Sequence, residues 1–508
     1  MTFDELIDIC RPLDIHGRRP DQFGGLTQDS RQVSEGSVFI AVRGLQVDGH
    51  MFIENAVSKG ASVVICEDVY YTEEDDVCVV EVENTRNLVG PLAQAFEGYP
   101  ARTLVLIGIT GTNGKTTVAT LVYQALRTLG ARPSLLGTVG KRINDQALES
   151  LLTTSDAIEL ARDMRRMVEA DSSHLVMEVS SHALDQRRVA GLEFDVAGFT
   201  NLSHDHLDYH ATLDDYAEAK KRLFDSLDED ATAIVNGDDP HASYMLKDCR
   251  AQKVRFGFRN KLDVDCRIVS SSSEGMRIEI DGTEIASPLI GNFNAGNVAL
   301  AFLACRALGY DDEAIAGALQ NASGAAGRLE RVQAGSDVSG EPLVLVDYAH
   351  TPDALENVLS TLEDLKTEEQ QLHLVFGCGG NRDRAKRPKM ASVAETYADR
   401  ITVTSDNPRD EDPDAIVDEI MNGFTEDTRA AVTRITDRRE AIEQAIRDAD
   451  PGTILLIAGK GHETYQEIAG ERHPFDDREI ARNALKGSGN GTDRNGNGHS
   501  GPENGEVA

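Results

Sequence analysis

Residues 104–129 constrain the chain most. An apolar run over 104–109 gives way to glycines at 108, 111 and 114, followed at once by Lys115, Thr116 and Thr117, and apolar residues return at helical spacing from 118 to 129. A short continuous apolar run suits a parallel strand buried on both faces, so the stretch reads as strand, loop and helix start. A loop at that junction turns backbone N–H groups toward an anion. Gly111 and Gly114 let the backbone approach phosphate, Lys115 brings a mobile positive charge to the terminal phosphates, and Thr116 or Thr117 can set a hydroxyl on Mg²⁺. The generic phosphate loop wants a further glycine where this chain has Ile109.

That departure is informative. TGTNGKTT at 110–117, including Thr112 and Asn113, resembles the ATP loop of the Mur ligases, the amide-forming enzymes of peptidoglycan precursor synthesis, more than that of motor ATPases or GTPases. The resemblance implies ATP and Mg²⁺ as cofactors and a three-domain α/β fold. The domains expected are a small N-terminal α/β UDP-binding domain (1–100), a central parallel-sheet domain of P-loop ATPase type (101–330) and a C-terminal doubly wound, Rossmann-like domain (331–487).

Length alone, 508 residues, also suggests about three to four domains. No apolar segment approaches the ~18 residues that span a bilayer, and the N-terminus lacks a basic, then apolar, leader pattern, so a cytoplasmic protein without membrane insertion is expected. Seven cysteines without a C-x-x-C pair argue against a disulfide framework. The net charge is −35, from 86 acidic against 51 basic residues, with arginine the commoner cation. Such a surface repels polyanions and excludes nucleic acid as a partner. Because salt screens charge within about 3 Å at 1 M, the same surface keeps a protein soluble in a salty cytoplasm, and halophilic adaptation is the reading taken.

In the first domain, TQDSR at 27–31 precedes short strands and polar turns. By resemblance, Ser30 and Arg31 help hold the uridine diphosphate of the substrate. In the second, apolar runs at 173–179, 195–199 and 232–235 alternate with helical stretches, a parallel α/β pattern. The alternating segments between 253 and 290 read as an antiparallel addition. Functional groups gather after the strands, where α/β sheets bind ligands: MEVSSHALDQRR at 177–188 and TNLSHDHLDYH at 200–210. Glu178 is a hard oxygen donor suited to Mg²⁺. The histidine spacings at 204, 206 and 210 could suit zinc, but no cysteine is near and a phosphate site favours Mg²⁺.

The resemblance makes His206 a ligand of the second Mg²⁺ with Glu178 beside it, keeps Thr116 as a metal ligand, and makes Lys220, in the helix 216–224, a carbamylated lysine that supplies a further ligand oxygen. It carries Thr153, Thr154, Ser180, Gln186 and Arg188 over as contacts to the muramoyl peptide. It also carries Asn236 and Asn294 to the nucleotide, with Arg328, at the passage into the third domain, meeting phosphate if that domain closes.

The third domain alternates strands (343–346, 372–376, 401–404, 454–458) with amphipathic helices, a doubly wound parallel sheet. Its strand ends carry DYAHTP at 347–352, GCGGNRDRAKRP at 377–388, DNPR at 406–409 and GKGHE at 459–463. By resemblance, Asp347 serves ATP, and Arg382, Asp406, Asn407, Pro408, Arg409, Gly459 and Glu463 bind an incoming diamino acid. Arginine's two parallel N–H donors match a planar carboxylate, so Arg409 would select meso-2,6-diaminopimelate over lysine. The expected small-molecule substrates are UDP-N-acetylmuramoyl-L-alanyl-D-glutamate and meso-diaminopimelate, and a monomer is expected. Lysine addition, a folate-type polyglutamate ligase and a non-catalytic ATP-binding protein remain alternatives. Residues 488–508, nearly devoid of apolar side chains, should form a disordered tail.

Overall fold

The structure, a computed structural model, describes residues 1–44, 47–68, 70, 76–148, 152–203, 209–335 and 341–489. Contacts divide the chain into two compact units, Met1–Ser270 with Gly275–Pro288 and Asn292–Gly324, and Ser271–Glu274 with Leu289–Gly291 and Ala325–Ala508.

The first unit contains two sheets. In the five-stranded one, Leu26–Thr27, Val38–Ile40, Val63–Cys66 and Cys78–Glu81 run parallel, and Asp14–His16 closes the far edge antiparallel. Both faces are apolar, since Val38, Ile40, Val63 and Ile65 pack with Leu6 and Leu92 on one side while Phe39 and Val64 pack with Ile53 and Ala56 on the other. Such strands must read as continuous Val/Ile runs. The helix Arg86–Phe96 then meets the neighbouring sheet's layer, and the backbones are so close that a Cβ on Gly90 would lie 2.1 Å from the carbonyl oxygen of Ala190.

The second sheet has eleven strands, with Val105–Thr110 between His174–Glu178 and Val196–Phe199. All three run parallel, and their register sets Ile109 opposite Glu178 and Thr110 opposite Phe199. The phosphate loop, Glu178 and residues 200–201 therefore leave the same edge of the sheet. Beyond Thr232–Asn236, the strands Gln252–Gly257 and Val264–Ser272 continue parallel, and Gly275–Ile280 with Thr283–Ser287 forms an antiparallel hairpin. The antiparallel reading of 253–290 thus fails for its first two strands. Gln252–Gly257 is buried only toward its end, so it alternates like a one-sided strand although its neighbour runs the same way.

In the second unit, Leu343–Asp347, Thr453–Ala458, Gln371–Phe376, Arg400–Val403 and Thr433–Arg434 lie side by side and parallel, with Glu330–Val332 antiparallel at one edge. Short strands at Tyr465–Ile468, half-buried, and Glu471–Pro474, exposed, pair as a hairpin that sequence periodicity does not reveal. The last helix, Asp477–Gly489, extends through the first two residues of the expected tail, as helix ends read from sequence commonly slip by a residue or two. Residues 490–508 lie outside the described residues. All seven cysteines are free and buried. Burial pushes the Cys305 and Cys378 thiols up to about 12.

The last helix is fastened by an ion pair with no exposed surface. Arg438 donates from Nε and Nη2 to the two carboxylate oxygens of Asp477, at 2.9 and 2.7 Å, and also reaches the carbonyls of Ser405 and Ala458. Removing one member strands a buried charge, so Asp477→Ala should cost about 3–5 kcal/mol, seen as a shift of the urea-unfolding transition. Replacing both members with apolar residues should recover much of that loss.

His373, buried in a central strand, bonds through Nε2 to the Thr402 hydroxyl at 2.9 Å. Burial first, then Arg400, lowers its pKa from 6.5 to about 4. The unfolded chain therefore takes up this proton before the folded one, and stability is lost as pH falls from about 6.5 toward 4. At about 1.4 kcal/mol per pH unit, the loss from this group reaches up to about 3 kcal/mol. His373→Leu should remove that part of the acid dependence, measured as the difference between wild-type and mutant unfolding free energies at pH 7 and pH 4.5.

Candidate active site

The phosphate loop of the first unit is shaped by glycine. Gly111 has φ +146°, and a Cβ there would fall 1.8 Å from the Thr200 hydroxyl; Gly114 has φ +86°, and its Cβ would fall 2.3 Å from Asn297 Oδ1. The loop is pinned to the neighbouring strand end. Thr112 N donates to the Asn201 carbonyl (2.8 Å), Asn113 N to Asn201 Oδ1 (3.0 Å), and the Thr200 hydroxyl to the Asn113 carbonyl (2.6 Å). Lys115 opens the helix Lys115–Thr128, and its Nζ curls back to the carbonyls of Gly111 (3.0 Å) and Thr112 (2.8 Å). Lys220, only 1% exposed, donates to the same Gly111 carbonyl at 2.7 Å and lies 4.2 Å from the centre of the Tyr216 ring. Two lysine nitrogens and a bent loop thus share one small volume.

Glu178 is the hub beside it. It is 1% exposed and accepts from the Thr116 hydroxyl (3.0 Å), the Thr138 N–H (2.7 Å) and the Thr138 hydroxyl (3.2 Å). A Cβ on Gly137 would lie 2.3 Å from its Oε1, so the chain can pass the carboxylate only as glycine. Thr138 in turn bonds the Thr153 hydroxyl at 3.0 Å. Thr154 donates to the Glu178 carbonyl and accepts from Ser180 N, and Ser180 caps the short helix that follows. Arg188 bonds the Thr154 carbonyl (2.8 Å) and grips Gln186 Oε1 with two donors, while burial lowers its pKa.

Thr153, Thr154, Ser180, Gln186 and Arg188 therefore form one network adjoining Glu178. The sequence reading did not single out Gly137 and Thr138; a glycine ending an apolar run and followed by a hydroxyl was the available signal. The Thr116 hydroxyl and the Glu178 carboxylate are paired hard oxygens of the kind Mg²⁺ takes. Asn236 ends its strand, accepting from Asp238 N at 3.1 Å, and Asn294 accepts from Asn297, which also borders Gly114. Thr117 is buried in the first helical turn. His206 lies outside the described residues. Ser30 and Arg31 stand apart from this network in a turn capped by Asp29; Arg31 is held by the Asp29 carboxylate at 2.8 Å, with its side chain 86% exposed.

The second unit carries its own polar cluster. Asp347 accepts from Leu329 N and Ala349 N, both at 2.7 Å; burial raises its pKa against the pull of Arg328 and those donors. Arg328 stacks 4.8 Å from the Tyr348 ring centre. At the neighbouring strand ends, Asp406 and Asn407 are buried, as is Pro408. Gly459, at φ +119°, would clash with Asp406 Oδ2 if it had a Cβ. Asn407 Nδ2 donates to Glu463 Oε2 at 2.8 Å, and Lys460 donates to Asn407 Oδ1 (3.1 Å) and Glu463 Oε2 (3.0 Å). Arg409 sits at φ +51°, with Nη1 on the Gly380 carbonyl (2.7 Å) and Nε 3.4 Å from Glu467 Oε2. Arg382 is exposed across Gly379, whose added Cβ would be 3.9 Å from Arg382 Cγ and 3.0 Å from Arg409 Nη1. Lys460 and Glu467 were not assigned from sequence, Glu467 because its hairpin was not recognised.

The Mur ligase middle domain matches residues 109–305, the Mur ligase glutamate ligase domain 327–461, and the Mur ligase family catalytic domain 22–97. A Cytophaga hutchinsonii protein named UDP-N-acetylmuramoyl-L-alanyl-D-glutamate–2,6-diaminopimelate ligase is 42% identical over 96% of this chain and 99% of its own. A Geobacillus kaustophilus protein of the same name is 43% identical over 93% and 97%. A solved structure with that name is similar at TM-score 0.69 and 35% identity, covering 96% of this chain and 99% of its own.

The loop geometry makes a direct prediction. Gly111→Ala should weaken binding of a non-hydrolysable ATP analogue at least 10-fold in calorimetry, because its methyl would displace Thr200 and the loop tied to it. The protein should stay folded by circular dichroism.

Proposed function

Since the chain belongs to the Mur ligase family, we propose that it joins meso-2,6-diaminopimelate to the D-glutamate γ-carboxylate of UDP-N-acetylmuramoyl-L-alanyl-D-glutamate at the expense of ATP. The observation that carries this reading is likeness to 2,6-diaminopimelate ligases at 42% identity along almost the whole of both chains. The substrate carboxylate attacks the γ-phosphorus of ATP, the bond to ADP breaks, and an acyl phosphate forms. An amine of the diamino acid then adds to the carbonyl carbon, and the tetrahedral adduct loses phosphate and a proton to leave the amide. Three domains, 1–100, 101–330 and 331–487, would bind the uridine nucleotide substrate, ATP and the diamino acid respectively.

On this reading the protein contributes position and charge more than covalent chemistry. Backbone N–H groups of residues 111–117 and the Lys115 ammonium receive the triphosphate, which would draw Lys115 away from its carbonyl partners. Mg²⁺, when bound, would offset phosphate charge, held by Thr116 and Glu178 with His206. Lys220 as a carbamate would offer an anionic oxygen there. The network of Thr153, Thr154, Ser180, Gln186 and Arg188 would orient the muramoyl peptide, while Asn236, Asn294, Arg328 and Asp347 serve the nucleotide. Ser30 and Arg31 would meet the uridine diphosphate, Arg31 exchanging Asp29 for phosphate. A matched N-terminal domain at 22–97 supports this reading over a folate-type ligase.

Arg409 would grip the distal carboxylate that distinguishes meso-diaminopimelate from lysine, with Arg382, Asp406, Asn407, Pro408, Gly459 and Glu463 around it. Phosphate release by the wild-type enzyme, given ATP and the muramoyl dipeptide, should depend on meso-diaminopimelate; a preference for lysine or no turnover would overturn the reading. Arg409→Ala should lower kcat/KM for meso-diaminopimelate about 10- to 100-fold, the worth of a charged hydrogen bond of roughly 1.5–3 kcal/mol. It should change kcat/KM for lysine far less.

A further inference from the structure

Lys460 is a cation with no exposed surface in the polar cluster at the strand ends of the second unit, and nothing so far assigns it a part in the reaction. Its backbone is fixed by the glycines on either side: a Cβ at Gly459 would meet Asp406 Oδ2 at 2.7 Å, and one at Gly461, φ +52°, would meet the Gly327 carbonyl and Tyr348 Cβ, each at 2.7 Å. Its ammonium lies 5.5 Å from the centre of the Tyr465 ring, donates to Asn407 Oδ1 and Glu463 Oε2, and stands 4.0 Å from Asp406 Oδ1. Asn407 is aligned in turn: its Oδ1 also accepts from Glu467 N at 3.0 Å, so its Nδ2 must face Glu463.

The two oxygens of Glu463 are therefore unlike. Oε2 takes both protein donors, Lys460 and Asn407, while Oε1 makes no hydrogen bond among the described residues on a side chain that is 19% exposed. A carboxylate free to rotate would present either oxygen, but one saturated at Oε2 is held with Oε1 outward. Resting on the diamino-acid reading above, we propose that Lys460 is a positioning residue. It holds the Glu463 carboxylate rotationally fixed, so that Oε1 receives the distal ammonium of the incoming amino acid. Being buried, Lys460 does not itself touch substrate; it acts through Glu463 and Asn407. A fixed acceptor at the correct distance rewards the distal ammonium with directed charge-assisted hydrogen bonding.

The test compares three amino acids by steady-state kinetics: meso-diaminopimelate, L-lysine, which keeps the distal ammonium and lacks the distal carboxylate, and L-2-aminopimelate, which keeps the carboxylate and lacks the ammonium. Lys460→Met should raise KM for meso-diaminopimelate at least 10-fold, with KM for ATP and for the muramoyl dipeptide changed less than twofold. The ratio of kcat/KM for meso-diaminopimelate over L-2-aminopimelate should fall at least fivefold. Lysine turnover, where measurable, should fall in step with meso-diaminopimelate, in contrast to the Arg409 variant. Lys460→Gln, which retains a donor and most of the length, is read by the same ratio and should fall between wild type and Lys460→Met; it stands in if the methionine variant does not fold. An unchanged ratio, or equal rises in KM for all three co-substrates, would overturn the role given to Lys460. Failure of the wild type to use meso-diaminopimelate would instead overturn the functional reading itself, which keeps the two failures distinct.

Discussion

The parallel pairing of Val105–Thr110 with His174–Glu178 and Val196–Phe199 is the constraint on which the first unit depends. Register in a sheet is all-or-none, because a slip of one residue turns every side chain to the opposite face. With Ile109 opposite Glu178, a carboxylate at the end of one strand meets the hydroxyl of Thr116, the second residue of the helix that follows the loop, at 3.0 Å. With Thr110 opposite Phe199, Thr200 and Asn201 reach the loop and hold its carbonyls and N–H groups. Close approach is bought by glycine at 111, 114 and 137, each facing a polar side-chain atom within 2.3 Å of where its Cβ would stand.

The second unit solves a different problem, holding several charges inside a parallel sheet's edge without stranding any of them. Arg438 and Asp477 pair with no exposed surface, Lys460 faces Glu463, and Arg409 faces Glu467. Buried charges are tolerable only in such sets, since an unpaired one costs several kcal/mol. Arg438 also reaches the carbonyls of Ser405 and Ala458, which immediately precede Asp406 and Gly459. One guanidinium therefore ties together two neighbouring strand ends and anchors them to the last helix.

What could be read from the sequence follows from how local the cause is. The phosphate loop is written in eight consecutive residues, and the strands beneath it are continuous apolar runs, so both were legible. Glu178 was legible as a residue at a strand end, but its partner Thr138 was not, because that contact exists only once the sheet aligns Gly137 with Glu178. The Arg438–Asp477 pair spans 39 residues and leaves no periodic trace. Gln252–Gly257 was misread in direction because half-burial produces alternation in either orientation. Arg31 shows the opposite limit: a short polar motif marks a turn equally well whether its arginine waits for an anion or simply pairs with Asp29.

Arg409 shows why the geometry of a donor matters more than its charge. Glu467 and the Gly380 carbonyl already engage Nε and one N–H of Nη1, so a ligand lacking a carboxylate would not leave this cation wholly uncompensated. On the proposed role of Arg409, the penalty against lysine would be correspondingly smaller than for a bare buried arginine. Yet a guanidinium has five N–H donors in a fixed plane, and the Gly380 carbonyl takes one of those on Nη1, which leaves its other N–H and both on Nη2. Those at the outer end can meet two carboxylate oxygens in parallel while Glu467 keeps the inner edge aligned, an arrangement a lysine ammonium cannot reproduce. The left-handed backbone at Arg409, φ +51°, costs a non-glycine residue about 1–2 kcal/mol, and is sustained by hydrogen bonds from Arg409 N to Glu467 O and from Ala469 N to Arg409 O. The hairpin therefore does two jobs through one residue pair, bending the chain so that Arg409 faces inward and supplying the carboxylate that keeps its fork in plane.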